Sequence, residues 1–226
     1  MTTLLELFCG TKSISKSFQE LGVDTITVDI DDYHKPDICK SILDFNIKKD
    51  LNGKKINYIW ASPPCTTFSM MSFMNYWNHN KPKNSIACIN LAYVFKTIEI
   101  INEINPKYWF IENPMGLLRT FDFMKRLPRK EVTYCQYGLD YMKPTDIWTN
   151  AVGWIPRKKC KNNDKCHKPA PRGSRTGIQG ELGFRKQTFG FTKELRIQRA
   201  IIPKELCDEI ANFCIGNNKI VQEVIR

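Results

Sequence analysis

Short apolar runs alternate with stretches of helical spacing through the first 150 residues. Thr3 to Phe8 is an apolar run that opens into a turn at Gly10, and Ser13 to Leu21 then places Ile14, Phe18 and Leu21 on one face before Gly22 stops it. Thr25 to Ile30 reads as a second strand and Asn57 to Ala61 as a later one. Ser85 to Ile104 predicts a long helix with apolar Ile86, Ile89, Ala92, Tyr93 and Ile100. Tyr108 to Ile111 is again strand-like, and Ile201 to Ile215 predicts a last helix with Pro203 at its start, packing back on the sheet. This alternation implies an α/β fold, a doubly wound and mostly parallel sheet covered on both faces, with no internal repeat.

Chemistry enters where two of these strands end. Residues Trp60 to Ser69 read W-A-S-P-P-C-T-T-F-S, and Pro63-Pro64 cannot continue a ladder, so the chain turns and presents Cys65 at the strand's carboxyl edge. In open α/β sheets that edge is where ligands collect. A buried structural cysteine is the competing reading. The strand Tyr108 to Ile111 runs into Glu112-Asn113-Pro114, so a second strand end offers a carboxyl group. A thiol attacking a ring needs a proton donor or acceptor on the opposite part of that ring, which a partly dry glutamate supplies. Capping of the following turn is the bland alternative for Glu112.

Composition narrows the setting. With 226 residues, 42% hydrophobic and 25% charged, the chain can bury one sizeable core. No apolar run approaches the ~20 residues of a membrane span, no signal-peptide pattern opens the chain, and a cytoplasmic location is expected. Nine scattered cysteines do not form a secreted disulfide framework, so reduced thiols are expected. Charge is uneven: residues 157–199 hold 13 lysines and arginines against Asp164, Glu181 and Glu194, nearly all of the net +11. Rich also in Gly, Pro, Ser and Thr, this stretch reads as a basic, loop-rich surface suited to phosphates, or simply as a solvated face.

Taken in order, these motifs resemble the cytosine-C5 methyltransferase family, and within it the short phage and viral branch. Phe8-Cys9-Gly10-Thr11 is similar to its cofactor loop, Pro64-Cys65-Thr66-Thr67-Phe68-Ser69 to its catalytic loop and Glu112-Asn113-Pro114 to its glutamate motif. Tyr134 to Gly138, Lys143 to Asn150, Ala170 to Ser174 and Thr176 to Gly180 are similar to segments of the phage branch. The resemblance implies a Rossmann-like, S-adenosylmethionine-dependent fold in which Lys130 to Gln136 and Asp146 to Trp148 form an antiparallel edge pair. It implies Cys65 as nucleophile and Glu112 as its acid partner. Phe8, Gly10, Thr11, Asp29, Ile30, Ile42 and Pro63 would bind the cofactor; Pro64, Ser69, Asn113, Lys143, Arg172 and Arg175 would bind substrate. An acid at the end of the second strand, here Asp29, also suits a ribose diol on general grounds. Two positions depart from the pattern: Lys12 stands in place of a second glycine, and Ser41 where an aspartate often holds the adenine amino group. Of the arginines expected after Gln136, only the cation Lys143 remains.

The resulting organisation is a catalytic and cofactor-binding core over residues 1–150, a basic target-recognition segment over 151–195 and a C-terminal helical part over 196–226. The expected activity is DNA cytosine-C5 methylation by a monomer, with no membrane partner. RNA cytosine methylation, or a nucleic-acid-binding protein of the same fold with a decayed cofactor loop, are the alternatives. Cys160, Cys166 and His167 have the ligand types of a zinc site, but their spacing is not a common zinc pattern and Cys135 is remote in sequence, so no metal is assigned.

Overall fold

The structure, a computed structural model, describes residues 2–70, 73–161, 164–167, 197–198 and 200–224. Its main sheet has seven strands: β1 (Thr3–Leu7), β2 (Asp24–Asp29), β3 (Ile38–Cys39), β4 (Tyr58–Ala61), β7 (Tyr108–Pro114), β8 (Arg129–Thr133) and β9 (Pro144–Thr149). A separate hairpin pairs β5 (Trp77–Asn78) with β6 (Lys81–Pro82). The order across the sheet is β3-β2-β1-β4-β7-β9-β8, parallel from β3 through β7, with β9 antiparallel to both of its neighbours. Strand order therefore reverses between β1 and β4, which opens a crevice at their carboxyl ends.

Alternation along each strand feeds two cores. Leu5 and Leu7 of β1, Ile59 and Ala61 of β4 and Ile111 of β7 point to one face, and Leu4, Tyr58, Trp60 and Phe110 to the other. The first face is covered by helix α4 (Ser85–Ile104), together with the short helices α2 (Ile47–Leu51), α3 (Phe73–Tyr76) and α5 (Asp122–Lys125). The second is covered by α1 (Ser13–Glu20) and α6 (Lys204–Val224), whose Leu206, Cys207, Ile210, Ala211 and Cys214 pack with Ile14 and Phe18. Tyr58 also donates its hydroxyl to the Cys214 carbonyl, 3.1 Å away. The final helix thus packs back on the sheet, as its apolar spacing suggests.

Two features differ from the sequence reading. Helix α4 has the expected span, with Asn84 capping its start and Asn105 ending it in a left-handed turn, and Ile100 is buried, but the rest of its buried face is Ala87, Asn90, Val94, Thr97 and Ile101. Ile86 and Ile89 are 53% and 45% exposed. Polar residues are drawn inward because their hydrogen bonds are met: Thr97 donates to the Tyr93 carbonyl at 2.8 Å, and Asn90 to Thr67 at 3.1 Å. By length and composition α4 is also apolar enough to cross a membrane, contrary to the sequence reading. Here it lies along the sheet, with Val94 and Ile100 in the core. Second, β7 continues to Pro114, so Glu112 and Asn113 lie within a paired strand opposite Ile147 and Asp146 of β9.

Candidate active site

The crevice between β1 and β4 holds a cleft of about 230 Å³ lined by Phe8, Val28, Asp29, Ile30, Lys40, Ser41, Ile42, Ser62, Pro64 and Tyr93. Six residues singled out in the sequence meet there: Phe8, Asp29, Ile30, Ser41, Ile42 and Pro64, the last expected at the substrate, while Pro63 is not in the lining. The loop after β1 reaches it through left-handed backbone at Phe8, Gly10 and Lys12, with φ of 56°, 42° and 56°. Lys12, where the resemblance implies a second glycine, thus takes the left-handed backbone that favours glycine, while its ammonium group donates to the Lys35 carbonyl. The Gly10 amide donates to Asp29 Oδ2 at 2.8 Å and the Asp31 amide to Oδ1 at 3.0 Å, so the carboxylate is oriented at the cleft. Ile30 remains 65% exposed on the rim, and the Phe8 ring meets Tyr93 edge-on. Thr11 is turned toward Ser13 (2.7 Å), and the Ser41 hydroxyl accepts from the Leu43 amide. Tyr93, Ser62 and Lys40 are cleft residues that sequence reasoning missed.

Beyond β4 the Pro-Pro-Cys turn is braced from beneath. Pro63 is buried, and its carbonyl accepts the side-chain amide of Asn113 from β7 at 2.9 Å. Asn113 is wholly buried, which makes it a strut behind the turn. Thr67 and Phe68 turn inward. Thr67 binds Asn90, its carbonyl accepts the Trp77 indole N–H at 2.7 Å, and Phe68 packs against Trp77 and Phe121. The Leu117 amide donates to the Phe68 carbonyl at 2.7 Å, and a Cβ on the neighbouring Gly116 would collide with that same oxygen. Cys65, Thr66 and Ser69 stay exposed on this braced loop. Cys9 makes the contrast: burial, reinforced by Glu6 and Asp29, pushes its thiol up to about 12, which leaves it protonated and inert.

On the adjacent strand Glu112 is 6% exposed and accepts the Tyr134 hydroxyl at 2.9 Å. Burial, then the Glu112 charge, raises the Tyr134 phenol well above its ordinary range, so it remains a donor. The Lys143 ammonium lies 4.6 Å from the centre of the Tyr134 ring. This joins Glu112 and Lys143, and Tyr134 is the group between them that sequence reasoning missed. Its only signal was membership in the Tyr134 to Gly138 motif. Nearby, Asp146 is wholly buried beneath a two-pronged contact from Arg119, which fixes β9 beside β7. Arg172 and Arg175 lie outside the described residues.

In overall architecture the chain is similar to an E. coli protein titled "putative DNA modification methyltransferase encoded within prophage", with a TM-score of 0.53 and 15% identity, covering 71% of this chain and 52% of that one. A Spodoptera frugiperda DNMT2 variant matches with a TM-score of 0.43 and 18% identity, covering 70% of this chain and 55% of that one. The chain thus spans about half the length of these solved structures. In sequence it is 29% identical over 221 residues to a Frog virus 3 (isolate Goorha) protein named "Probable DNA (cytosine-5)-methyltransferase", covering 93% of this chain and 99% of that protein. The model of the C-5 cytosine-specific DNA methylases matches residues 2–125, over half of the sequence, and the chain belongs to that family.

Proposed function

We propose that this protein transfers a methyl group from S-adenosylmethionine to C5 of a cytosine in DNA, with Cys65 bonded transiently to C6 of the ring. The observation that carries this reading is the Asn113 strut. It ties the turn bearing exposed Cys65 to the strand bearing Glu112, so thiol and carboxyl share one rigid edge beside the cleft.

The cleft suits S-adenosylmethionine on its own residues. Exposed Ile30 with Ile42 offers apolar contact for a purine, and the Asp29 oxygens retain lone pairs for a ribose diol. At Gly10 a Cβ would meet nothing within 4 Å, so the loop is open there to a ligand. When bound, S-adenosylmethionine supplies an electrophilic methyl group on a sulfonium sulfur.

The chain's own groups then divide the work. Cytosine C5 is a poor nucleophile, and addition of the Cys65 thiolate to C6 makes it enamine-like. Glu112, held by the Tyr134 phenol, carries or shares a proton at N3 and offsets the charge pushed into the ring. After C5 has accepted the methyl group, a base takes the C5 proton, its electron pair re-forms the C5–C6 double bond, and the C6–S bond breaks to release Cys65 as thiolate. In duplex DNA the base must leave the stack first, at a cost of roughly a few kcal/mol. Lys143 and the basic stretch 151–195, including Arg172 and Arg175, are assigned to binding the DNA substrate and its phosphates.

The test is methyl transfer by the purified chain from labelled S-adenosylmethionine to matched DNA and RNA, with nucleoside analysis of the product. Label in DNA as 5-methylcytosine is expected. Transfer to RNA alone would favour the RNA-directed alternative, and cofactor binding without transfer to either would favour a decayed enzyme.

A further inference from the structure

We propose that Cys135, Cys160, Cys166 and His167 form a tetrahedral zinc centre that fastens the segments bearing Cys160 and Cys166-His167 to the turn carrying Tyr134. Their four ligand atoms, three Sγ and an imidazole nitrogen, all lie within 4.8 Å of one another. Cys135 Sγ is 3.0 Å from Cys160 Sγ, and His167 Nδ1 is 3.4 Å from Cys166 Sγ and 3.8 Å from Cys160 Sγ. Zinc bonds of about 2.3 Å to sulfur and about 2.0 Å to nitrogen give a tetrahedron with edges of roughly 3.5–3.8 Å, so small shifts complete the geometry.

The ligands come from two places that the fold brings together. Cys135 sits in the turn after β8, and Cys160, Cys166 and His167 belong to the chain beyond β9. Cys135, Cys160 and His167 are buried, and the sequence from Cys160 to His167 has few apolar side chains of its own. An outer layer is also present: the Gln136 side-chain amide donates to Cys166 Sγ at 3.1 Å, and the Cys160 amide to Thr133 Oγ1 at 3.1 Å. Three thiolates and a neutral imidazole around Zn²⁺ leave one net negative charge, flanked in sequence by Lys159, Lys161 and Lys165. A Cys135–Cys160 disulfide would engage only two of the four converging groups. Four protein ligands close the coordination sphere, which makes the role structural. Its position next to Tyr134 means that it also steadies the phenol on Glu112.

Elemental analysis of the full chain, purified without chelator from zinc-supplied cells, tests this. About one zinc per chain is expected. Cys135→Ser and Cys160→Ser should each weaken zinc affinity by at least the roughly 10–100-fold that a lost outer-layer partner costs and lose zinc on purification, while Cys88→Ser, exposed on α4, should retain it. Cobalt in place of zinc should show thiolate charge-transfer absorption and the strong visible bands of a tetrahedral site. If the serine variants fail to fold, thiol titration of the native wild type decides: a strong chelator should make three further thiols reactive. Folded protein that takes up no zinc when zinc is added, full zinc retention in Cys135→Ser, or a Cys135–Cys160 disulfide in place of chelator-sensitive thiols would overturn the proposal. None of these readouts requires methyl transfer, so the zinc centre and the enzymatic reading stand or fall separately.

Discussion

The two halves of the sheet meet at the Pro-Pro-Cys turn and prepare their polar groups in opposite ways. On the parallel side, β1 and β2 end in an open cleft where Ile30 is exposed and the Asp29 carboxylate is oriented by backbone amides. On the antiparallel side, β7 and β9 bury Glu112, Asn113 and Asp146, each with a hydrogen-bond partner in place: the Tyr134 hydroxyl, the Pro63 carbonyl and the Arg119 guanidinium. The first region opens its polar groups onto a cleft, and the second pairs them within the fold, although the buried Asn113 Oδ1 has no hydrogen-bond partner among the described residues. Binding energy should therefore be sensitive to the first and the rate of chemistry to the second.

The largest effect should come from the closed side. Glu112→Gln keeps the shape but loses the exchangeable proton, and methyl transfer should fall by roughly 10²–10⁴ with little change in DNA or cofactor affinity. Tyr134→Phe should give a smaller rate loss in the same direction, because it strips Glu112 of its phenol donor. Equal losses in binding and rate, measured by steady-state kinetics and direct titration, would erase the distinction between the two sides.

Glu6 asks whether burial alone sets the behaviour of a carboxyl group. It lies in β1 beneath α1, accepts both the amide and the hydroxyl of Ser15, and burial pushes it up from about 4.5 to about 7. The folded state thus holds this proton more tightly than the unfolded chain. Its contribution is full below about 4.5 and is lost as pH rises to about 7. Glu6→Gln should remove that decline, a difference on the order of 3 kcal/mol across the window, with methyl transfer preserved. Parallel pH-stability curves for the two proteins in chemical unfolding would contradict this.

The shared turn is tested at Gly116, where a methyl group would press on the Phe68 carbonyl. Gly116→Ala should cost about 1–3 kcal/mol in thermal or chemical unfolding and should slow transfer by displacing the loop of Cys65. Unchanged stability would mean that the two segments are not tightly packed. The smallest effect belongs to the open side: Asp29→Asn should weaken S-adenosylmethionine binding about tenfold, the size of one charge-assisted hydrogen bond, with the rate at saturating cofactor nearly unaltered. Isothermal titration separates that outcome from a rate defect.

What could be read in the sequence follows the same division. The open side is built from residues next to strand ends, so local pattern and resemblance point to Phe8, Asp29 and Ile30, which line the cleft, whereas Pro64, expected at the substrate, lines it in place of Pro63. The closed side depends on contacts made across the fold: Tyr134 is 22 residues from Glu112, Asn90 is 23 from Thr67, and Cys135 is 25 from Cys160. No periodicity encodes such pairs. Apolar spacing also misled at α4, because Asn90 and Thr97 are polar residues made inward-facing by their own hydrogen bonds. The two-residue strand β3 and the short helices α2, α3 and α5 are below the length at which a period can be recognised.

The central claim, a thiol on the shared edge that bonds to the base, is tested most directly by trapping it. With S-adenosylmethionine and DNA carrying 5-fluorocytosine, fluorine at C5 cannot leave as a proton, so the adduct should persist through denaturation, map by peptide mass to Cys65 and be absent in Cys65→Ala. A protein that methylates ordinary cytosine yet yields no Cys65-linked adduct on the fluorinated substrate would contradict the account.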